Sequence, residues 1–249
     1  MLNNQRAMTD MTIMTLKHSL CGCLVDVSAE QIARFINHPG IGLLEWRLDD
    51  FLRRHSVEAT IRAMELLSVS PRRPVLVTNR PMGEGGLFEG PETLRIYILQ
   101  KAVEAGAEWV DLEWAASGDA LERLQSSTAD VLLSHHDFSG TPDRESLRSM
   151  AREMAARGTR AIKIVTYAHQ PEDNLRVLDL IPFGRRELGI DVIAFCMGPL
   201  GRWSRFACLM LGSPWTYVQL PGTSPVASGQ FSLDEMRALL KLGGWMDGN

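Results

Sequence analysis

Eight short runs of β-branched and apolar residues alternate with eight longer stretches of helical spacing, and this alternation most restricts the folds open to the chain. The runs are CGCLVDV, GLLEWRL, PVLVTNR, EWVDLEW, ADVLLSHH, RAIKIVT, DVIAFCM and WTYVQLP, beginning near positions 21, 43, 75, 109, 131, 161, 192 and 216. Between and after them lie SAEQIARFIN, SVEATIRAMELL, PETLRIYILQKAVEA, DALERLQ, DRESLRSMAREMAA, PEDNLRVLDLI, GRWSRFACLML and LDEMRALLKLG, with apolar residues recurring three and four apart. Each interval fits one strand and one crossover helix, the unit that joins parallel neighbours. The strand runs are nearly continuously apolar, which suits a parallel sheet covered by helices. Eight such units in 249 residues predict an α/β chain folded as a single-domain (β/α)8 TIM barrel. The rival, a doubly wound open sheet, normally carries G-x-G-x-x-G after its first strand, and CLVDVSAEQ has none.

Composition narrows the function. With 45% hydrophobic and 22% charged residues the chain buries a core without staples. Twenty-six basic against thirty acidic side chains leave a net charge of -4, so no chain-wide positive field exists to hold nucleic acid. No apolar run approaches the ~18 residues that a membrane-spanning helix needs. Residues 1–19 lack the continuous apolar stretch of a secretory signal and are read as a poorly ordered N-terminal arm, with the catalytic barrel over 20–249 and a cytoplasmic location. Cys21, Cys23, Cys196 and Cys208 match neither a zinc ribbon nor a redox C-x-x-C, and read as small apolar core residues of a reduced protein.

Nearly every strand ends in a polar or charged side chain. These are Glu45 and Arg47, Arg80, Asp111 and Glu113, His135 and His136, and Lys163, with Met197 at the end of the seventh. On a barrel such ends converge on one mouth, where the chemistry of this fold resides. Lys163 stands alone in the apolar run RAIKIVT. Burial disfavours an ammonium and exposes an amine that attacks carbonyl carbon, whereas a salt bridge to Asp111 or Glu113 is the alternative reading. Only one of His135 and His136 can face the mouth, because successive strand residues point to opposite sides, and spacing does not say which. Arg47, Arg80 and Arg205 are forks for a carboxylate or phosphate, or partners of Glu45, Glu84 and Asp111 in a structural network. Glu84, within GEGG, either orients a histidine or is a solvated loop acid. The loop MGPLGRWSR, running into a helix, is a weak phosphate-binding signal.

Taken in order, E-W-R in LLEWRLD, N-R-P-x-x-E-G-G in TNRPMGEGG, D-L-E in WVDLEW, S-H-H-D-F-S-G-T-P, the lysine of AIKIV, M-G-P-L-G-x-x-S-R and the late G-Q in SGQFS resemble the type I 3-dehydroquinate dehydratases. The resemblance spans about Cys21 to Leu242. It implies a (β/α)8 homodimeric hydro-lyase of the shikimate pathway, removing water from the small-molecule substrate 3-dehydroquinate to give 3-dehydroshikimate, with no metal or organic cofactor. By similarity Lys163 forms the Schiff base with the C3 ketone. His136 is the general acid/base, Glu84 holds its imidazole, and Glu45, Arg47 and Arg80 contact and position the substrate. Arg205 receives the substrate carboxylate, Met197 is an apolar wall, and Gln230 belongs to a lid after the eighth strand. At the lid the chain departs from the family, with Val226 where a Ser or Thr is usual, and one hydroxyl is lost.

Two other functions share part of this set. A Schiff-base aldolase acting on a phosphorylated sugar would use the same lysine and place a phosphate at the seventh loop. A catalytically weak binding homologue would keep the barrel with an altered lid.

Overall fold

The structure, a computed structural model, describes residues 19–69 and 72–245, so the expected N-terminal arm lies outside the described residues except for Ser19. The eight expected strands form as β1 (Leu20–Leu24), β2 (Leu43–Arg47), β3 (Val75–Thr78), β4 (Trp109–Glu113), β5 (Asp130–Asp137), β6 (Ala161–Tyr167), β7 (Asp191–Met197) and β8 (Thr216–Gln219). All pair in parallel, in the order β7-β6-β5-β4-β3-β2-β1-β8. This is the barrel order, with helices on the outside. Among the described residues no ladder joins β7 to β8; instead the rings of Phe195 and Tyr217 meet edge-on across that seam, 6.1 Å between centroids. A two-residue strand not expected from the sequence, β9 (Phe231–Ser232), pairs with β8 on the side away from β1.

The outer layer consists of α1 (Ala29–Phe35), α2 (Leu48–Leu52), α3 (Val57–Ala63), α4 (Glu92–Glu104), α5 (Gly118–Gln125), α6 (Arg144–Ala155), α7 (Asp173–Leu178), α8 (Leu180–Phe183), α9 (Ser204–Met210) and α10 (Leu233–Leu242). Their starts follow side-chain chemistry. Ser28, Ser56, Ser117, Asp143 and Ser232 each accept a bond from a backbone N–H of the first turn, and Ser28 with Gln31 and Ser232 with Glu235 complete capping boxes. Each cap contributes about 1 kcal/mol. The stretch read as one helix over 171–181 is two short helices followed by a π-helical turn, Gly184–Leu188. Pro182, inside α8, lacks the N–H that a continuous helix would use. No helix of the described residues is long and apolar enough to cross a membrane.

Strand register decides which residues enter the barrel. Glu113, Ser134, Lys163 and Ile193 are successive neighbours across β4 to β7 and therefore share a face. Alternation then turns Glu45, Arg47, His136, Val165, Phe195, Met197 and Tyr217 inward, while Trp46, Leu112, His135, Ile164 and Cys196 face the helices. The four cysteines are buried and free, as small core residues.

Candidate active site

The carboxyl ends of the strands surround a cavity of about 290 Å3 lined by, among others, Glu45, Arg47, Arg80, Glu84, His136, Lys163, Met197, Arg205, Val226 and Gln230. The nine residues to which the resemblance gives a catalytic or substrate role therefore meet in one place. Lys163 is 5% exposed, and its Nζ lies 3.2 Å from Oδ2 of Asp111 and 4.7 Å from the centroid of the Tyr217 ring. The salt-bridge reading of this lysine holds, with Asp111 as the partner, and the lysine is buried at the cavity.

Asp111 is shared. Its Oδ2 also accepts from Nη2 of Arg80 at 2.7 Å, and its Oδ1 from the Ser134 hydroxyl at 2.6 Å. Arg80 in turn donates from Nη1 to Glu113 Oε1 and to Ser134 Oγ, each at 2.7 Å. Arg95 of α4 donates to Oε2 of Glu113 and is itself gripped by Glu92. Burial alone would raise the Asp111 carboxyl, yet Arg80, Lys163 and the Ser134 hydroxyl hold it at about 2. Burial outweighs Arg80 and Arg95 at Glu113, whose carboxyl is raised. Arg80 thus takes up the structural-network reading, and its fork is occupied by protein carboxylates.

His136 faces the cavity, and His135 packs edge-on against Trp114 on the helical side. Nδ1 of His136 lies 3.1 Å from Oε2 of Glu84. Glu84 is carried by a tight loop after β3. Gly85 adopts φ 74°, and a Cβ on Gly86 would sit 2.0 Å from the carbonyl oxygen of Arg80, so only glycines let the chain wrap so closely. Burial, then the positive charges of Arg80, Lys163 and Arg47, push the imidazole well below its usual range. Burial raises the Glu84 carboxyl to about 7, with Arg80 opposing and Glu113 and Asp111 adding to the rise. The imidazole is neutral and oriented, with Nε2 left for a proton transfer at neutral pH.

The remaining cations differ in how they are matched. Arg47 is not paired with Glu45, Glu84 or Asp111 as the sequence suggested; it donates from Nε and Nη2 to both oxygens of Asp49 at 2.8 and 2.7 Å. Local geometry explains the choice, since Asp49 lies two residues on, in the first turn of α2. Glu45 accepts from the Thr78 hydroxyl at 2.8 Å. Arg205, 2% exposed and stacked 4.5 Å from the Phe195 ring, makes no ion pair among the described residues. Its Nη2 donates to the lid carbonyl of Ser228 at 3.3 Å, and its Nε has no partner. Burial lowers its pKa to about 10. With no carboxylate partner among the described residues, this buried guanidinium leaves an uncompensated positive charge beside the cavity.

Gln230 accepts from the Val226 N–H at 2.8 Å and donates to Cys23 Sγ at 3.5 Å, tying the lid to β1. Val226 lines the cavity. The seventh loop forms a 3-10 turn, Pro199–Gly201, in which the Ser204 hydroxyl bonds Gly201 O and Cys196 N–H, so the turn is closed by its own contacts rather than arranged as a phosphate cradle. Sequence reading missed Asp49, Arg95, Ser134 and Tyr217. Asp49 was within reach, two positions after a candidate arginine; Arg95, on an outer helix, gave no signal.

A family model described as type I 3-dehydroquinase matches residues 20–246. The 3-dehydroquinate dehydratase of Syntrophobacter fumaroxidans is 50% identical over 232 residues, covering 93% of this chain and 99% of that one. That of Thermococcus gammatolerans is 34% identical over 227 residues, covering 89% and 97%. The solved 3-dehydroquinate dehydratase of Geobacillus kaustophilus shares the fold with a TM-score of 0.80 at 28% identity, covering 90% of each chain. A match over nearly the whole chain, on a barrel whose mouth gathers the lysine, the histidine and the arginines that carried the resemblance, means that this chain belongs to the type I 3-dehydroquinase family.

Proposed function

We propose that this chain dehydrates 3-dehydroquinate to 3-dehydroshikimate with Lys163 as the Schiff-base lysine and His136 as the general acid/base. The amine of Lys163 adds to the C3 carbonyl, and the carbinolamine loses water to give a protonated imine. That cation withdraws electrons from C2, so the C2 proton passes to Nε2 of His136, and the same imidazole returns a proton to the departing C1 hydroxyl, which leaves as water. Hydrolysis of the product imine restores the amine. Glu84 holds the imidazole through Nδ1, Arg205 receives the substrate carboxylate, Glu45 and Arg47 meet the hydroxyls, Met197 is the apolar wall, and Gln230 holds the lid. Arg80 acts on the substrate through the charge network rather than as a free fork.

The observation that carries this reading is the placement of buried Lys163 and the Glu84-bound His136 on one cavity beside an unmatched Arg205. Borohydride reduction in the presence of 3-dehydroquinate, followed by intact-mass analysis and peptide mapping, tests it. A reduced adduct on Lys163, with turnover followed by the absorbance of the conjugated product and both lost in Lys163→Ala, is expected. Normal turnover by Lys163→Ala would exclude the covalent route. Homodimeric assembly and a cytoplasmic location, which the resemblance implies, belong to the same proposal; light scattering on the purified chain tests the first.

A further inference from the structure

The cations of the mouth are held by different carboxylates, and the one that holds Arg47 does more than neutralise it. Asp49 is fully buried and belongs to α2, immediately after β2. Its two oxygens take the Nε and Nη2 edge of the Arg47 guanidinium, and its Oδ2 also accepts the N–H of Leu87 at 3.1 Å. Leu87 lies in the loop after β3 that carries Glu84. A guanidinium is planar and rigid, so fixing one edge fixes the plane of the whole fork and leaves Nη1 as the donor free for the cavity that Arg47 lines. The bond to Leu87 holds the carboxylate in turn, so Asp49 cannot rotate with the arginine. A lone Arg47 would sample many rotamers at the end of β2; chelated from behind, it presents one.

We propose that Asp49 is a positioning residue for the reaction, acting on the substrate through Arg47 by holding its fork in the orientation that meets a substrate hydroxyl. This rests on the reading above in which Arg47 contacts the substrate. Asp49 itself does not line the cavity, and its effect is on binding geometry rather than on proton transfer.

A double-substitution cycle tests it, with KM and kcat for 3-dehydroquinate measured for the wild type, Asp49→Asn, Arg47→Ala and the combined variant. Asp49→Asn is expected to raise KM about ten- to a hundredfold, the range for losing bonds to a charged group. Added to Arg47→Ala, it should change KM no further. A KM increase that persists in the Arg47→Ala background would overturn the proposal, as would an unchanged KM in Asp49→Asn while Arg47→Ala raises it. Arg47→Ala with a normal KM would instead remove Arg47 from the substrate set, and the proposal with it, and that single variant separates the two failures. Should Asp49→Asn not fold, Arg47→Lys carries the test: it keeps the charge but has no fork to chelate, so its KM should rise as in Arg47→Ala, and a wild-type KM would refute an orienting role.

Discussion

Oε2 of Glu84 sits 3.1 Å from Nδ1 of His136, and burial moves the two groups in opposite directions: the carboxyl up to about 7, the imidazole well below its usual range. Below about pH 7 the carboxyl therefore keeps its proton while the imidazole is neutral. As pH rises through about 7 that proton leaves, and the carboxylate then accepts Nδ1–H and makes Nε2 a stronger base.

The first prediction concerns this pair. The acid limb of kcat/KM should fall near pH 7 in the wild type and be lost or displaced in Glu84→Gln. The sign for stability follows from the raised carboxyl: its contribution is full below the unfolded value and is lost as pH rises through about 7, so Glu84→Gln should be more stable than the wild type at pH 8 and little changed at pH 4. Thermal melts at the two pH values and a pH–rate series check both; an identical acid limb in the variant would detach Glu84 from the imidazole.

Arg205 gives a second prediction, because function and stability oppose each other there. Its guanidinium is buried, and its Nε lacks a partner. Arg205→Met should melt higher than the wild type, since it relieves an unmatched buried charge, yet raise KM on the order of a hundredfold by losing the charge-assisted contact to the substrate carboxylate. A variant that melts lower, or keeps the wild-type KM, would mean that Arg205 is structural.

The third prediction concerns Arg95, which touches no substrate in this reading. It is 2% exposed and grips Glu113 from the helix layer. Arg95→Met leaves that buried carboxylate with Arg80 alone and should destabilise the chain by roughly 3–5 kcal/mol at pH 7. The loss should shrink as the pH is lowered and Glu113, whose carboxyl is already raised, takes up a proton. Urea unfolding at pH 7 and pH 4.5 measures the difference, and equal losses at both would remove Glu113 as the partner that matters.

The barrel was legible in the chain because parallel strands buried on both faces read as apolar runs, and each crossover needs a helix, which leaves a periodic alternation. The places where that reading slipped are local. The stretch over 171–181 has helical spacing but runs straight into Pro182, and β9 has only two residues, too few for any pattern to appear.

For the site, residue type and order along the chain determined the set that meets at the mouth: a lysine within an apolar strand, polar strand ends, and a Gly-rich loop bearing Glu84. Which side chain binds which was decided by the tertiary structure alone. His136 rather than His135 faces the cavity because Ser134 is in register with Lys163, and a strand turns every second residue inward. Arg80 is consumed by Asp111 and Glu113, Arg47 by Asp49, and Arg205 by no carboxylate among the described residues, although the three look alike as letters. Pairing depends on angles and distances of a few ångströms between strands and helices far apart in the chain, and sequence spacing carries periodicity, not those distances.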